Sequence, residues 1–175
     1  MRTNDISPTL ERLFAELVNG AAGSGAFILN SGDVGLLRSL DKIPADAASL
    51  LTNGGATLAA HAQHLRYGLS LMNRWAQEGG DPFADATWDE PWKTSVVTAT
   101  DWEAIRAGLR DETADWLQVL KTPREIAEVE LSGIIGSIVH LAYHLGAIRQ
   151  INKAARGPKE GTFVRDGAER PTRER

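Results

Sequence analysis

Apolar residues recur at helical spacing in three long segments, which predict three long helices. A single face of each segment carries its apolar residues, as expected for a helix that packs one side against a core. In 57–77 these residues are Leu58, Leu65, Leu69 and Met72. In 100–121 they are Trp102, Ile105, Leu109, Trp116 and Leu120. In 123–156 they are Ile134, Ile138, Leu141, Leu145 and Ile148.

Polar residues with capping propensity precede each of the three segments. Thr57 follows two glycines and suits the N-cap of the first segment. Thr100 with Glu103 predicts a capping box at the start of the second. Thr122, followed by Pro123 and by Glu125, predicts another capping box at the start of the last. The turn that this leaves between the last two helices is very short, so we expect them to be antiparallel neighbours.

The remaining segments complete an all-α pattern. A helix is expected from Ser7-Pro8 onward, and a weaker helical pattern over 33–51 is split by Pro44. No strand-like alternation persists. We therefore predict an all-α four-helix bundle over residues 1–157, with a mobile tail over 158–175. A long crossover, from about 79 to 99, joins the second and third main helices.

Two tryptophans lie in that crossover. Trp88 and Trp92 belong to the sequence Trp-Asp-Glu-Pro-Trp. Large aromatic residues in a connection bury apolar surface, so one interpretation is that they pin the crossover onto the bundle. The other interpretation is a lid over a functional site. The sequence does not place either ring relative to the candidate metal ligands.

Composition excludes several classes of function. The chain has 175 residues and no cysteine, which excludes a disulfide scaffold, a thiolate zinc site and a cysteine nucleophile. Its formal charge of −4 is unfavourable for general nucleic-acid binding, which needs a concentrated basic face. No signal peptide and no near-continuous apolar run of membrane-spanning length is evident. We therefore expect a cytoplasmic protein without nucleic-acid or membrane partners.

All four histidines lie in two of the predicted helices, as pairs one turn apart. His61 and His64 are spaced i, i+3, whereas His140 and His144 are spaced i, i+4. An i, i+4 pair can chelate one metal ion, and a histidine from a facing helix would complete three imidazole ligands. Three protein ligands leave a coordination position open for water or substrate. Spacing does not decide between this site and hydrogen-bonded core histidines, nor between His61 and His64.

Other metal sites are less well matched. The sequence His140-Leu-Ala-Tyr-His144 has the spacing of zinc metalloproteases, but Leu141 stands where their catalytic glutamate would be. The Glu-x-x-His motif of di-iron bundle proteins is absent. Ligation of haem by two histidines stays open.

Two stretches of sequence resemble the DinB/YfiT-like family. The first is Thr57-Leu-Ala-Ala-His-Ala-Gln-His64-Leu-Arg-Tyr, and the second is His140-Leu-Ala-Tyr-His144-Leu-Gly-Ala-Ile-Arg-Gln150. The order of elements is also similar, with a long crossover between the two histidine-bearing regions. The resemblance covers roughly residues 5–155. The family commonly has Gly-Gln after the last histidine, whereas this chain has Gly146 followed by Ala147.

The resemblance implies a four-helix bundle of DinB-like topology that holds a divalent metal, zinc or nickel, through three histidines. In this family the ligand of the second main helix follows a hydroxyl residue by about two turns, which matches Thr57 and His64. The implied ligands are therefore His64, His140 and His144. His61 becomes an alternate ligand or a residue that supports the ligands.

The resemblance also suggests a function. Relatives are similar to transferases and isomerases that use low-molecular-weight thiols, because a metal with an open position lowers the pKa of a bound thiol. Our first hypothesis is a metal-dependent thiol S-transferase or hydrolase that acts on a small molecule. The alternative is a non-catalytic, stress-related metal-binding or interaction module. A homodimer is compatible with close helix contact at Gly133 and Gly136.

Overall fold

The computed structural model of the protein describes residues 2–21, 25–52 and 54–158, and these are all-helical, as predicted. The described α-helices are α1 (Ser7–Asn19), α2 (Gly35–Asp41), α3 (Ala45–Ala48), α4 (Leu58–Glu78), α5 (Ala99–Lys121) and α6 (Glu128–Ile151). Short 3-10 turns follow at Glu90–Lys93 and Lys153–Ala155. The predicted mobile tail lies, from residue 159 onward, outside the described residues.

Of the three predicted helix starts, the structure confirms that of α4 and moves those of α5 and α6. The Thr57 side chain accepts a hydrogen bond from the Ala60 amide at 3.2 Å, so the predicted cap of α4 is confirmed. The predicted cap of α5 at Thr100 is wrong, because the helix is capped two residues earlier, by Thr98 in a capping box. There the Thr98 hydroxyl oxygen accepts from the Asp101 amide, and the Asp101 carboxylate accepts from the Thr98 amide. That reciprocal pair satisfies two backbone donors at once, which favours Thr98 over Thr100.

The start of α6 lies further along the chain than predicted. The expected cap at Thr122 is wrong, and α6 begins at Glu128. The intervening segment is extended because it pairs with the N-terminus: Arg2 and Glu125 form an isolated antiparallel β-bridge. This long-range pairing satisfies backbone groups that a helix would otherwise use, so a local pattern could not reveal it.

The four longest helices contact one another in the cyclic order α1, α5, α4, α6. Helices α4 and α5 run in the same direction, since Arg66 lies against Gly108 near their starts and Asn73 donates to the Glu112 carbonyl further along. The long crossover is therefore needed to return the chain to the beginning of a parallel neighbour.

Helices α4 and α6 run antiparallel. Trp75, near the end of α4, lies against Gly133 near the start of α6, and His61 contacts His144 at the opposite ends. A Cβ atom at Gly133 would come within 2.5 Å of the Trp75 ring. Gly133 therefore accommodates the Trp75 side chain where the two helices pack.

Helices α5 and α6 are not neighbours in this cycle, although the short connection between them led us to expect it. They are linked instead across the core by Trp116, whose Nε1 donates to the Ser137 hydroxyl at 3.0 Å. Trp116 is 1% exposed. The other large, fully buried side chains of the described residues are Phe14, Leu17, Leu36, Leu40, Leu58, Leu65, Trp102, Leu109, Leu141, Leu145 and Ile148.

Helix α6 is unusually apolar. By length and composition it could cross a membrane, with a mean hydropathy of 1.5 over its most apolar window. In this fold its buried stripe packs against α4 and α1. The same composition is found in core helices of soluble proteins, so hydropathy alone does not distinguish the two.

Candidate metal centre

The antiparallel packing of α4 and α6 brings all four histidines into one cluster. The Nε2 atom of His140 lies 3.0 Å from Nε2 of His64 and 2.9 Å from Nε2 of His144. One nitrogen from each of these three residues lies within 4.8 Å of the other two. Two imidazole nitrogens bound to one tetrahedral zinc ion lie roughly 3.3 Å apart. The three histidines are therefore close enough together to hold one metal ion.

The number of hydrogens and lone pairs on the imidazole nitrogens supports a cation shared by His64, His140 and His144. Each imidazole nitrogen carries either one hydrogen or one lone pair, so it makes one full hydrogen bond. His140 Nε2 has two close nitrogen neighbours, in His64 and His144, and cannot satisfy both with hydrogen bonds. The buried Nδ1 of His64 has no hydrogen-bond partner among the described residues. A cation between three lone pairs would resolve the crowding at His140.

His61 contacts the His144 ring on the side away from His140. Its Nδ1 lies 2.9 Å from Nδ1 of His144, on the opposite side of the ring from the His144 nitrogen that faces His140. When His144 donates its Nδ1 hydrogen to His61, the Nε2 atom of His144 carries a lone pair, and this lone pair is directed toward His140. His61 is buried, as are His64 and His144, whereas His140 is half-buried.

The crossover covers the histidines with two tryptophans. Trp92, in the 3-10 turn, stacks on His64 with ring centroids 4.4 Å apart and planes 28° apart. The rings of Trp92 and His61 are nearly perpendicular, at 85°, and their centroids lie 5.2 Å apart. Trp88 lies 6.0 Å from His64 and is 41% exposed. Both tryptophans therefore combine the two interpretations that the sequence left open, since they hold the crossover on α4 and lie over the histidines.

Polar contacts fix the rest of the crossover. The Thr87 amide donates to the Tyr67 hydroxyl at 2.8 Å. The Arg74 guanidinium donates to the Asp85 carboxylate at 2.9 Å and to the Pro82 carbonyl at 2.5 Å. These contacts join α4 to the crossover at three successive points, with Arg74 as the donor at two of them and Tyr67 as the acceptor at the third, so the tryptophans have a defined position over the cluster.

An apolar cavity of about 320 Å³ opens beside the histidines. His64 and His140 form one end of it, and Ser137 is the other polar residue of its lining. The remaining lining residues are Leu65, Gly68, Leu69, Met72, Phe83, Trp88, Gly133, Gly136 and Leu141. Pockets of this size and character, with few convergent polar groups, are typical small-molecule sites.

The cluster favours neutral imidazoles. Burial, together with the nearby rings of His140 and His61, lowers the pKa of His64 to about 4. Burial, with the rings of His140, His64 and His61, lowers the pKa of His144 to about 3. Burial also lowers the pKa values of His61 and His140. Neutral imidazoles are the form that binds metal ions, so the ligand set is ready at neutral pH.

These shifts predict that the metal-free protein loses stability as the pH falls below about 6.5, the ordinary pKa of histidine. Because the folded-state pKa values of His64 and His144 are lowered, the unfolded chain binds more protons, and acidification favours unfolding. Their contribution is fully present above the unfolded pKa and is lost as the pH falls toward the folded values. Thermal melts of the EDTA-treated protein at pH 7.5, 6.5, 5.5 and 4.5 would measure the decline.

A H144N variant provides the control for this prediction, because its melting temperature should depend less on pH over the same range. The pKa of Asp101 is lowered by hydrogen bonds from Thr98, so its contribution is lost only below the ordinary pKa of that carboxyl, 3.8. A melting temperature that does not fall between pH 6.5 and 4.5 would contradict the histidine explanation.

Sequence reasoning missed two features of this site. The stacking of Trp92 on His64 depends on the path of a long connection, which has no periodicity to read. The cavity depends on which small residues remain uncovered: Gly133 is occupied by Trp75, whereas a Cβ atom at Gly136 would meet nothing within 4 Å. The sequence shows that small residues flank the histidines on α6, which leaves room either for an ion and a ligand or for a closely packed helix, but it does not show which of the two applies.

Comparison of the chain with protein-family models, with curated proteins and with solved structures returned no match. The fold and the histidine cluster therefore carry the functional argument.

Proposed function

We propose that this protein is a DinB-like divalent-metal-binding protein and a metal-dependent enzyme of the thiol S-transferase or hydrolase type. Its substrate would be a small molecule. The observation that carries the proposal is the convergence of the His64, His140 and His144 nitrogens at the end of an apolar cavity. Three ligands of this kind suit zinc or nickel and leave a coordination position for substrate.

The packing of the long helices supports the DinB-like part of the proposal. The observations that support it are parallel α4 and α5 joined by a long crossover, and α6 antiparallel to α4. The resemblance also names one histidine of α4 and both histidines of α6 as ligands. His64 is the α4 histidine whose nitrogen faces His140.

Within this proposal His61 positions a ligand and does not bind the metal. Its Nδ1 lies 2.9 Å from His144 Nδ1, and with His144 as the donor this hydrogen bond would hold the tautomer that leaves the His144 Nε2 lone pair free. Trp92 limits the access of water to His64 by stacking on its ring. The structure thus provides both orientation and shielding for the proposed ligands.

A bound divalent metal would supply Lewis acidity that lowers the pKa of a coordinated thiol or water molecule. In thiol transfer, the sulfur forms a bond to an electrophilic carbon and the leaving group departs with the electrons of the broken bond. The thiol proton goes to the leaving group or to solvent. The chain has no cysteine, so the sulfur must come from a cosubstrate.

The cavity favours thiol transfer over hydrolysis. Among its lining residues there is no carboxylate that could act as a general base toward water. A thiol is deprotonated more easily than water, because its ordinary pKa is already about 8.5. Lowering that pKa is sufficient to give a thiolate at neutral pH.

The proposal is tested by adding zinc or nickel to the metal-free protein and assaying a panel of neutral and charged thiols with an aryl halide and an epoxide. We expect turnover that requires the metal and that is lost in H64A. Metal binding that raises the melting temperature without any turnover would favour the non-catalytic module instead. Failure to bind either metal would overturn the proposal as a whole.

A further inference from the structure

We infer that the cavity beside the histidines binds an uncharged molecule with an aromatic or compact apolar body and a single metal-binding head, such as a neutral organic thiol. This inference rests on the proposed function, because the head group would reach the metal at His64 and His140. It goes further by excluding charged and strongly hydrophilic substrates from the cavity itself.

The size of the cavity sets the size of the apolar body. An apolar cavity of about 150 Å³ is large enough to take up benzene. The cavity here has about twice that volume, 320 Å³, which leaves room for one ring and a short arm. The arm would extend toward the imidazoles, since these form the polar end of the cavity.

The charge of the lining excludes an anionic body. No lysine, arginine, aspartate or glutamate belongs to the lining of this cavity. Arg74 lies on the same helix as His64, but its guanidinium donates to Pro82 and Asp85 in the crossover. A carboxylate placed among Leu69, Met72 and Phe83 would lose hydration without gaining a charged partner, which disfavours its binding.

The polar side chains of the lining already have partners or are proposed metal ligands. The Ser137 hydroxyl donates to the Ile134 carbonyl at 2.7 Å and accepts from Trp116 at 3.0 Å. His64 and His140 are the remaining polar residues of the lining, and they are the proposed metal ligands. A ligand therefore gains one polar anchor, at its head, and apolar contacts elsewhere.

The walls favour a flat body. Phe83 and Trp88 stack with planes 13° apart and centroids separated by 6.1 Å, and both line the cavity. Gly68 and Gly136 also line the cavity: a Cβ atom at Gly68 would lie 3.9 Å from the Trp88 ring, and one at Gly136 would meet nothing within 4 Å. Nearly parallel aromatic rings beside positions that lack side chains favour a flat apolar body.

Binding to the cobalt-substituted protein tests the inference, because thiolate ligation to cobalt changes the absorption spectrum independently of turnover. The probes are benzyl mercaptan, 4-(mercaptomethyl)benzoic acid and 2-mercaptoethanol. We expect benzyl mercaptan to bind on the order of 10- to 100-fold more tightly than either of the others, the ratio that corresponds to burial of one apolar side chain of similar size. Equal affinity for the neutral and the carboxylated probe would overturn the inference.

Two glycine variants of α6 form a matched pair. Leucine at Gly136 would fill the cavity, so G136L should lose the preference for benzyl mercaptan while still binding cobalt. Gly146 is exposed, is not part of the lining and also has open space around its Cβ position, so G146L should behave as the wild type. An unchanged probe preference in G136L would place the ligand elsewhere.

The outcomes separate this inference from the proposed function. A protein that binds no cobalt refutes both of them. A protein that binds cobalt but ranks the three probes otherwise retains the proposed metal site and refutes the neutral, apolar ligand. Should G136L fail to fold, as judged by circular dichroism, the ranking of the probes by the wild-type protein still tests whether the ligand is neutral and apolar.

Discussion

Replacing both histidines of α6, as in H140A/H144A, should reduce the metal content of the purified protein from about one ion per chain to a trace level. The double variant removes two of the three nitrogens that converge in the cluster and leaves His64 as the remaining proposed ligand. A single imidazole cannot retain a divalent ion against dilution and washing. Mass spectrometry of the metal content, beside a titration with cobalt, would measure the loss.

The two histidines of α4 supply the internal comparison. H64A should lose the metal as the double variant does, whereas H61A should retain it with an affinity lowered about 10- to 100-fold, as is usual for residues that orient a metal ligand. Q150A, which changes an exposed residue of α6, is the control for substitution in that helix. Equal metal contents in the wild type and the double variant would refute the site, and a stronger effect of H61A than of H64A would exchange their roles.

Truncating Trp116, as in W116A, should destabilise the protein by about 3–5 kcal/mol, the usual cost of replacing a buried tryptophan by alanine. Trp116 is 1% exposed and links α5 to α6 through its hydrogen bond to Ser137. Because a protein of this size loses roughly 2–4 °C per kcal/mol, the melting temperature should fall on the order of 10 °C. Urea unfolding and thermal melts of the metal-free protein would measure both quantities.

Two further tryptophan variants divide this effect into its parts. W116F keeps most of the buried apolar surface but removes the donor to Ser137, so it should cost less than W116A. W88A changes a tryptophan that is 41% exposed and should cost less again. A loss of less than about 1 kcal/mol in W116A would mean that the core collapses around the gap, since core truncations usually cost several times more.

Much of the fold could be predicted from local sequence, because periodic apolar positions and caps act over a few residues. The long helices and the cap at Thr57 are of this kind. The start of α6 could not be predicted, since the bridge between Arg2 and Glu125 joins residues that are far apart in the sequence. Likewise, no local pattern shows that Trp116 rather than backbone packing links α5 to α6.

The candidate site was predictable in its parts and not in its arrangement. The spacing of the histidines indicates that each pair occupies one helix face, and the family resemblance selects His64 over His61 as a ligand. Which nitrogen faces which neighbour depends on the separation and rotation of α4 and α6, and these are set by packing across the whole core. The contact between His61 and His144 is a result of that packing.

The position of the histidine cluster in the chain has a consequence for kinetics. The contact between His64 and His140 joins residues 76 positions apart, so closing this loop carries a large entropic cost, and the contact forms only after α4 and α6 have docked. If the cluster is still open in the folding transition state, an ion held there would leave the folding rate almost unchanged. It would slow unfolding instead, because opening the cluster would require the release of the ion first.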